Sequence, residues 1–534
     1  RIFLPEPLCY TRCMTTAATT SVAGRQRLAI MLALLLFLML CAPATQLPLG
    51  RDALNFLCLG REVALGARPY TDIWDNKPPG MFLLYAVLAT VAGVRSAPLA
   101  TWPVIAGSLA ALLATFSMLV VHFRRDRSAR GPGMVVAAAL LLPTAAGDWL
   151  PGQAEIFALP LLVAAYLLGQ RWSTRPGALP AFGCGLAAGL LPLLKPQFIL
   201  AALLPLMVQL PAAYRLSRRA GDFCWWILGM LMPGMLALGW LAVSGSLADA
   251  WEAVVLFNLH YQASGVGVAA FAAALLTSAP LTALALAGLG LGAGFLLVAR
   301  RSPADRAVAL WWLGALLAVM IAGRYWLYHW LIVIPATLAL VHQLWQRVNP
   351  QADRFREYLV LAIILSFALP AGLGPLIDWR AHAAGASATD RLNRRNEAEL
   401  AALAGALCRQ LPGNGRLQYF GYDGELYLLT GQRPATRFFY DFPLFALPPE
   451  STLAQRLRAR FLKELTARPP ERIVIARNDR NPVERESSEQ QVAGWPELRA
   501  WLAAQYRADS HVDNFLIYTR APAPAEQAAR GQAQ

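Results

Sequence analysis

Apolar stretches of roughly 17 to 25 residues recur between Leu28 and Ile377, each long enough to cross a hydrocarbon core about 30 Å thick. In lipid the backbone amides find no water, so segments of this length have to close their hydrogen bonds internally, as helices do. A soluble enzyme with one very large core has no need of that repeating length. The residue balance agrees: the sequence is 57% hydrophobic and 15% charged, against about 25% charged in soluble domains. The expectation is a mostly α, polytopic transmembrane helical bundle.

Lys and Arg outnumber Asp and Glu by 47 to 32. The excess sits in short loops between apolar segments, the pattern of cytoplasmic loops. It therefore argues for membrane orientation, with membrane lipids as the surroundings and no nucleic acid as a partner. The basic clusters lie at 25–27, 124–130, 171–175, 215–219, 300–306 and 347–356. If all are cytoplasmic, an even number of crossings separates each from the next. The outward excursions are then 28–47 with 98–121, 134–147 with 154–169, 180–194 with 197–213, 223–243 with 280–299, and 307–323 with 325–341. A last span, 358–377, carries the chain outward, for about eleven spans in all. Residues 81–94 cannot also span without breaking that parity and are short for the task. They are expected to form a re-entrant or interfacial helix after Lys77-Pro78-Pro79-Gly80.

Residues 1–24 are polar and Thr/Ala-rich and read as a disordered tail. Arg25 and Arg27 before Leu28 mark a retained signal anchor rather than a cleaved signal peptide. After Arg380 the composition becomes that of a soluble domain. Its patterns predict helices over 390–410, 453–467 and 495–506, and strands over 417–421, 472–476 and 515–519. The organisation is thus a tail (1–24), a transmembrane catalytic region (25–378), a small α/β extracytoplasmic domain (380–520) and an Ala/Pro/Gln-rich tail (521–534). The seven cysteines have neither metal-ligand spacing nor the arrangement of a disulfide framework.

Sorted by side, the inner loops are mostly Arg. The outer loops hold Arg51, Asp52, Asp72, Asp75, Lys77, Asp148, Glu155, Lys195, Asn258, Tyr261, Arg324 and, just inside the next span, His329. Acids together with bases at one face suit chemistry on a phosphorylated, membrane-held substrate. A carboxylate can take a proton from an acceptor, and Lys or Arg can neutralise a leaving phosphate. Ionisable residues at membrane depth are functional candidates by default. Each also has a plainer role open to it. Asp52 could pair with Arg51, Asp72 and Asp75 could cap turns or pair with Arg68, and Lys77 could snorkel at a helix start. Glu155 suits a helix N-terminus, and Arg324 and His329 could anchor an aromatic belt.

Asp52, then Tyr70, Asp72, Trp74, Asp75, Asn76, Lys77, Pro78, Pro79 and Gly80 resemble the first outer loop of GT-C-type glycosyltransferases. The similar branch is the bacterial one that includes protein O-mannosyltransferases and the enzyme transferring aminoarabinose to lipid A. Weaker echoes follow in order at Glu155-Ile156-Phe157, at Phe257-Asn258-Leu259-His260-Tyr261 and at Gly323-Arg324-Tyr325-Trp326-Leu327-Tyr328-His329-Trp330. The resemblance implies an inverting enzyme that takes a sugar from a polyprenyl-phosphate donor and passes it to a lipid, glycan or protein acceptor. It implies Asp52 as the base, with Asp148 or Glu155 supplying a second carboxylate, since Ala53 follows Asp52 where relatives commonly carry a second acid. It implies Lys77 on the donor phosphate. From their positions, Lys195, costly at depth without a phosphate or carboxylate partner, and Arg324 are further donor-phosphate candidates, with Tyr70, Asp72, Asp75, Asn258, Tyr261 and His329 at the substrates. The residues define no metal site and no certain cofactor, although some relatives use a divalent cation. The location implied is the bacterial inner membrane, with the C-terminal domain periplasmic. A secondary transporter or flippase would instead show broken helices and inverted repeats. A glycan polymerase or ligase of the same broad fold stands as a third class.

Overall fold

The computed structural model describes residues 8–47, 49–93, 101–126, 128, 130–147, 150–217, 220–262, 302–323, 325–347, 373–374, 376–377, 379–380, 383, 388–411, 415–422, 424–479 and 486–521. The longer helices run in chain order as α1 (Leu8–Cys41), α2 (Arg51–Ala64), α3 (Pro79–Ala92), α4 (Trp102–Phe123), α5 (Arg130–Leu141) and α6 (Ala154–Thr174). They continue as α7 (Ala178–Leu190), α8 (Ile199–Ser217), α9 (Ala220–Val243), α10 (Pro303–Ala322), α11 (Val333–Arg347), α12 (Ala388–Gln410), α13 (Thr452–Ala467) and α14 (Pro496–Gln505). Helix α1 begins at Leu8, so it runs through residues expected as tail; extending an existing helix is far easier than nucleating one.

Among the described residues, five helices are long and apolar enough to cross a membrane: Gln26–Thr45, Trp102–Phe123, Ala154–Thr174, Gly221–Val243 and Pro303–Ala322. Shorter apolar helices cover Pro79–Ala92, Arg130–Ala146, Ala178–Leu193 and Pro196–Pro211. The expected span 280–299 and most of 358–377 lie outside the described residues. The segment expected to be re-entrant is α3, a helix of 14 residues that Pro79 opens and Gly93, in the left-handed region at φ 84°, closes.

The chain folds into two compact units. The first comprises Arg1–Pro48, Ile105–Pro233 and Val266–Arg380. Its helices pack in small groups: α1 on α5, α6 on α7 and α8, and α10 on α8 and α11. A side chain at Gly314 would meet the backbone of Leu200 and Ala201 within 3 Å, so α10 and α8 approach at backbone distance, as small residues permit in membrane bundles.

The second unit comprises Leu49–Val104, Gly234–Gly265 and Ala381–Gln534. Helices α2 and α3 pack together, and Gly60 admits the backbone of Tyr85 where any Cβ would collide. The C-terminal segment forms a sheet of β1 (Arg416–Phe420), β2 (Arg433–Pro434), β3 (Arg472–Ala476), β4 (Tyr506–Val512) and β5 (Phe515–Arg520). The strand order is β2-β1-β3-β5-β4. Strand β1 lies parallel to β2 and β3, while β5 runs antiparallel to β3 and β4. The parallel pair β1–β3 needs a crossover, and α13 lies within it. Its buried Leu453, Leu457, Phe461 and Leu465 follow the helical period. Strand β4 was not anticipated. It is an edge strand whose middle, Arg507 to His511, is exposed and polar, so it lacks the apolar alternation that marks a half-buried strand.

Candidate active site

In the first unit, Glu155 stands in the first turn of α6, where the positive end of the helix dipole favours an acid. Lys195 lies between two 3-10 turns, Leu191–Leu193 and Pro196–Phe198. Pro192 and Pro196 each remove an amide that a continuous helix would use, and the residue before a proline is driven to extended backbone, as Lys195 is at φ −149° and ψ 128°. The chain is therefore interrupted where its lysine is needed. The Lys195 ammonium is 2.6 Å from Glu155 Oε1 and 5.0 Å from the Tyr328 ring centre, within cation–π range. His329 Nε2 lies 3.9 Å from the same Glu155 oxygen. Glu155 is fully buried and Lys195 only 9% exposed. Deleting one charge alone strands the other in a low dielectric, at a cost of about 3–5 kcal/mol.

In the second unit the polar loop after α2 is tightly specified. Tyr70 takes a left-handed backbone, φ 61°, which non-glycine residues hold only when their surroundings impose it. Its ring packs at a tilt against Phe82, centres 4.4 Å apart, and its hydroxyl donates to the Lys77 carbonyl at 2.8 Å. Asp75 is buried; its Oδ1 accepts from the Lys77 amide at 2.9 Å and lies 3.7 Å from the Lys77 ammonium. That ammonium donates to Asn76 Oδ1 at 2.9 Å and sits 5.4 Å from the Phe56 ring centre. Asn76 and Asn258 are locked together, the Asn76 amide donating to Asn258 Oδ1 and the Asn258 amide to the Asn76 carbonyl, both at 2.8 Å. The Lys77 side chain keeps 27% of its surface open.

The other sequence-selected residues divide. Asp72 is engaged by Arg68, which donates from both Nε and Nη2 and from its backbone amide. The Arg68 guanidinium holds the Asp72 carboxyl below the usual range. Asp52 lies half-buried in the first turn of α2, and Tyr261 stacks on Phe257 and meets Phe442 edge-on. Asp148 and Arg324 lie outside the described residues.

The structure adds a residue that sequence reasoning did not single out. Tyr440, from the C-terminal segment, donates to Asp75 Oδ2 at 3.0 Å. Burial, and then the negative charge of Asp75, push its phenol well above the usual value, with Asp52 adding to the effect. The neighbouring backbone reinforces the contact. The Trp74 amide donates to the Arg437 carbonyl at 2.9 Å, and Arg437 Nη1 to the Tyr70 carbonyl at 3.3 Å. Farther along α2, Asn55 bonds both Tyr422 and Gly424. The only advance signal was the aromatic density of 438–445, which core packing explains equally well. Among the described residues no three His, Cys, Asp or Glu side chains lie close enough to hold a metal ion.

No family model and no curated protein matches the chain. Solved structures do. The crystal structure of ArnT from Cupriavidus metallidurans bound to undecaprenyl phosphate aligns with a TM-score of 0.57 at 15% identity, covering 94% of this chain and 98% of that one. The apo form of the same protein aligns with a TM-score of 0.56 and the same identity and coverage. This chain has the fold of that protein. Some similarity extends to the Archaeoglobus fulgidus oligosaccharyltransferase complex with zinc and sulfate, at a TM-score of 0.44 and 12% identity over 84% of this chain and 68% of that one. The Lys-Pro-Pro-Gly run closes the loop after α2, whose conformation the second unit fixes through Tyr70, Asp75 and Tyr440.

Proposed function

We propose that this protein is an inverting glycosyltransferase of the bacterial inner membrane. It moves a sugar from a polyprenyl-phosphate donor to a lipid, glycan or protein acceptor at the outer face. The observation that carries this reading is the likeness, along nearly the whole chain, to a protein crystallised with undecaprenyl phosphate. The chemistry of the polar residues supports it. An acceptor hydroxyl or amine attacks the anomeric carbon opposite the phosphate while Asp52 takes its proton. The carbon–oxygen bond to phosphate breaks, and its electron pair leaves on the polyprenyl phosphate. Lys77, Lys195 and Arg324 are the cations of this reading, and Glu155 and Asp148 its further carboxylates. Glu155 acts by aiming Lys195, rather than as the base. Asp75, with both oxygens engaged, orients Lys77. Tyr70, Asn258, Tyr261 and His329 shape the substrate surroundings, and residues 380–520 form the periplasmic domain.

The test is reconstitution into vesicles with a panel of lipid-phosphate sugars. Wild type is expected to transfer at least one of them, with Asp52→Asn and Lys77→Ala each reduced by a factor on the order of 10² or more. Full transfer by both variants overturns the site assignment. The interrupted passage at Lys195 also suits a flippase. Translocation of the lipid-linked sugar without transfer, in the same vesicles, would establish that class instead.

A further inference from the structure

The first unit contains a cavity of about 780 Å³, lined by residues given no role above. It draws its walls from the loop after α4, the end of α6, the middle of α8 and the start of α10, and so brings arginines of two basic clusters to one place. Arg125, Arg171 and Arg175 line it, and its described lining contains no carboxylate. None of the three forms an ion pair among the described residues. A positive-inside signal alone explains arginines spread over a loop surface; it does not explain why they rim one cavity of ligand size.

The uncharged lining adds polar side chains. Gln209 is 4% exposed, and its Oε1 has no hydrogen-bond partner, while its amide reaches only the Tyr166 carbonyl, at 3.4 Å. That carbonyl packs against Gly169 of α6, where a Cβ would meet it. Ser302, at the head of α10, accepts the Asp305 amide and keeps its own hydroxyl proton to give. The site thus offers guanidinium groups suited to phosphate oxygens and a hydroxyl donor.

We infer that this cavity binds a phosphoryl group such as the headgroup of an anionic lipid carries. Basic pockets between membrane helices on the cytoplasmic side are suited to such headgroups. The same chemistry could reach the cavity as a soluble phosphate. Lipid retained by the intact protein is measured by native mass spectrometry after extraction from vesicles of phosphatidylcholine mixed equally with phosphatidylglycerol, with and without millimolar inorganic phosphate. The wild type is expected to retain phosphatidylglycerol over phosphatidylcholine. Arg171→Gln and Arg175→Gln should each weaken that retention roughly fivefold. Arg124→Gln, in the same loop as Arg125 but not in the cavity wall, should retain lipid as wild type does. Displacement of the lipid by inorganic phosphate keeps the site and assigns its ligand to the soluble source. Unchanged retention in the Arg171 and Arg175 variants, or an equal loss in Arg124→Gln, overturns the proposal.

Discussion

The Glu155–Lys195 pair and the Asp75–Lys77 pair put the same two charges to work in different surroundings. The first is buried among membrane helices, with its atoms 2.6 Å apart. The second is at 3.7 Å, and its lysine is partly open. Asp75 is held by the Lys77 amide and the Tyr440 hydroxyl, so it does not depend on the ammonium. Lys77 therefore keeps a partly open ammonium beside an Asp75 that other groups hold, whereas Lys195 cannot be separated from Glu155 without exposing a buried charge. The difference teaches how far burial ties a lysine to its partner.

That contrast can be broken first at the buried pair. Lys195→Ala should abolish transfer and lower unfolding stability by about 3–5 kcal/mol, read by thermal denaturation alongside the vesicle assay. The double variant Glu155→Gln with Lys195→Met should recover most of the stability while remaining inactive. Recovery of activity as well would reduce the pair to a scaffold. At the open pair, Lys77→Ala should cost about 2.7–4 kcal/mol of transition-state stabilisation with a melting temperature near wild type; a large loss of stability there would erase the distinction.

Smaller effects sharpen it. Tyr440→Phe removes one hydrogen bond to a carboxylate, worth about 1.5–3 kcal/mol. It should lower transfer by roughly an order of magnitude or more through Lys77, and combined with Lys77→Ala it should add little. Independent, additive losses would mean that Tyr440 acts elsewhere. The smallest effect belongs to the exposed pair Arg68–Asp72, under about 1 kcal/mol. Arg68 lowers the Asp72 carboxyl pKa in the folded protein. The pair's contribution is therefore complete above the ordinary carboxylate value and is lost as pH falls through the lowered one. A stability–pH curve of Asp72→Asn should converge on wild type only at that acid end.

Much of this protein was legible from residue order. The length of the apolar segments and the short helix after Pro79 follow from one-dimensional quantities: hydrophobic run length and proline position. So do strand β3 and helix α13, whose alternation and period are plain. Lys77 with its prolines could also be chosen from the chain alone, because a charge beside helix-breaking residues in an apolar sequence is costly unless used. The partners were not legible. Nothing in Glu155-Ile156-Phe157 or Lys195-Pro196 shows that the two ions meet. Nothing in a run of aromatics distinguishes Tyr440, which holds Asp75, from Phe438 and Phe439, which fill a core. Those pairings join residues 40 and 365 positions apart. Only the packing of helices and strands brings such residues within hydrogen-bond reach, because the interactions depend on distances of a few ångströms that sequence separation does not encode.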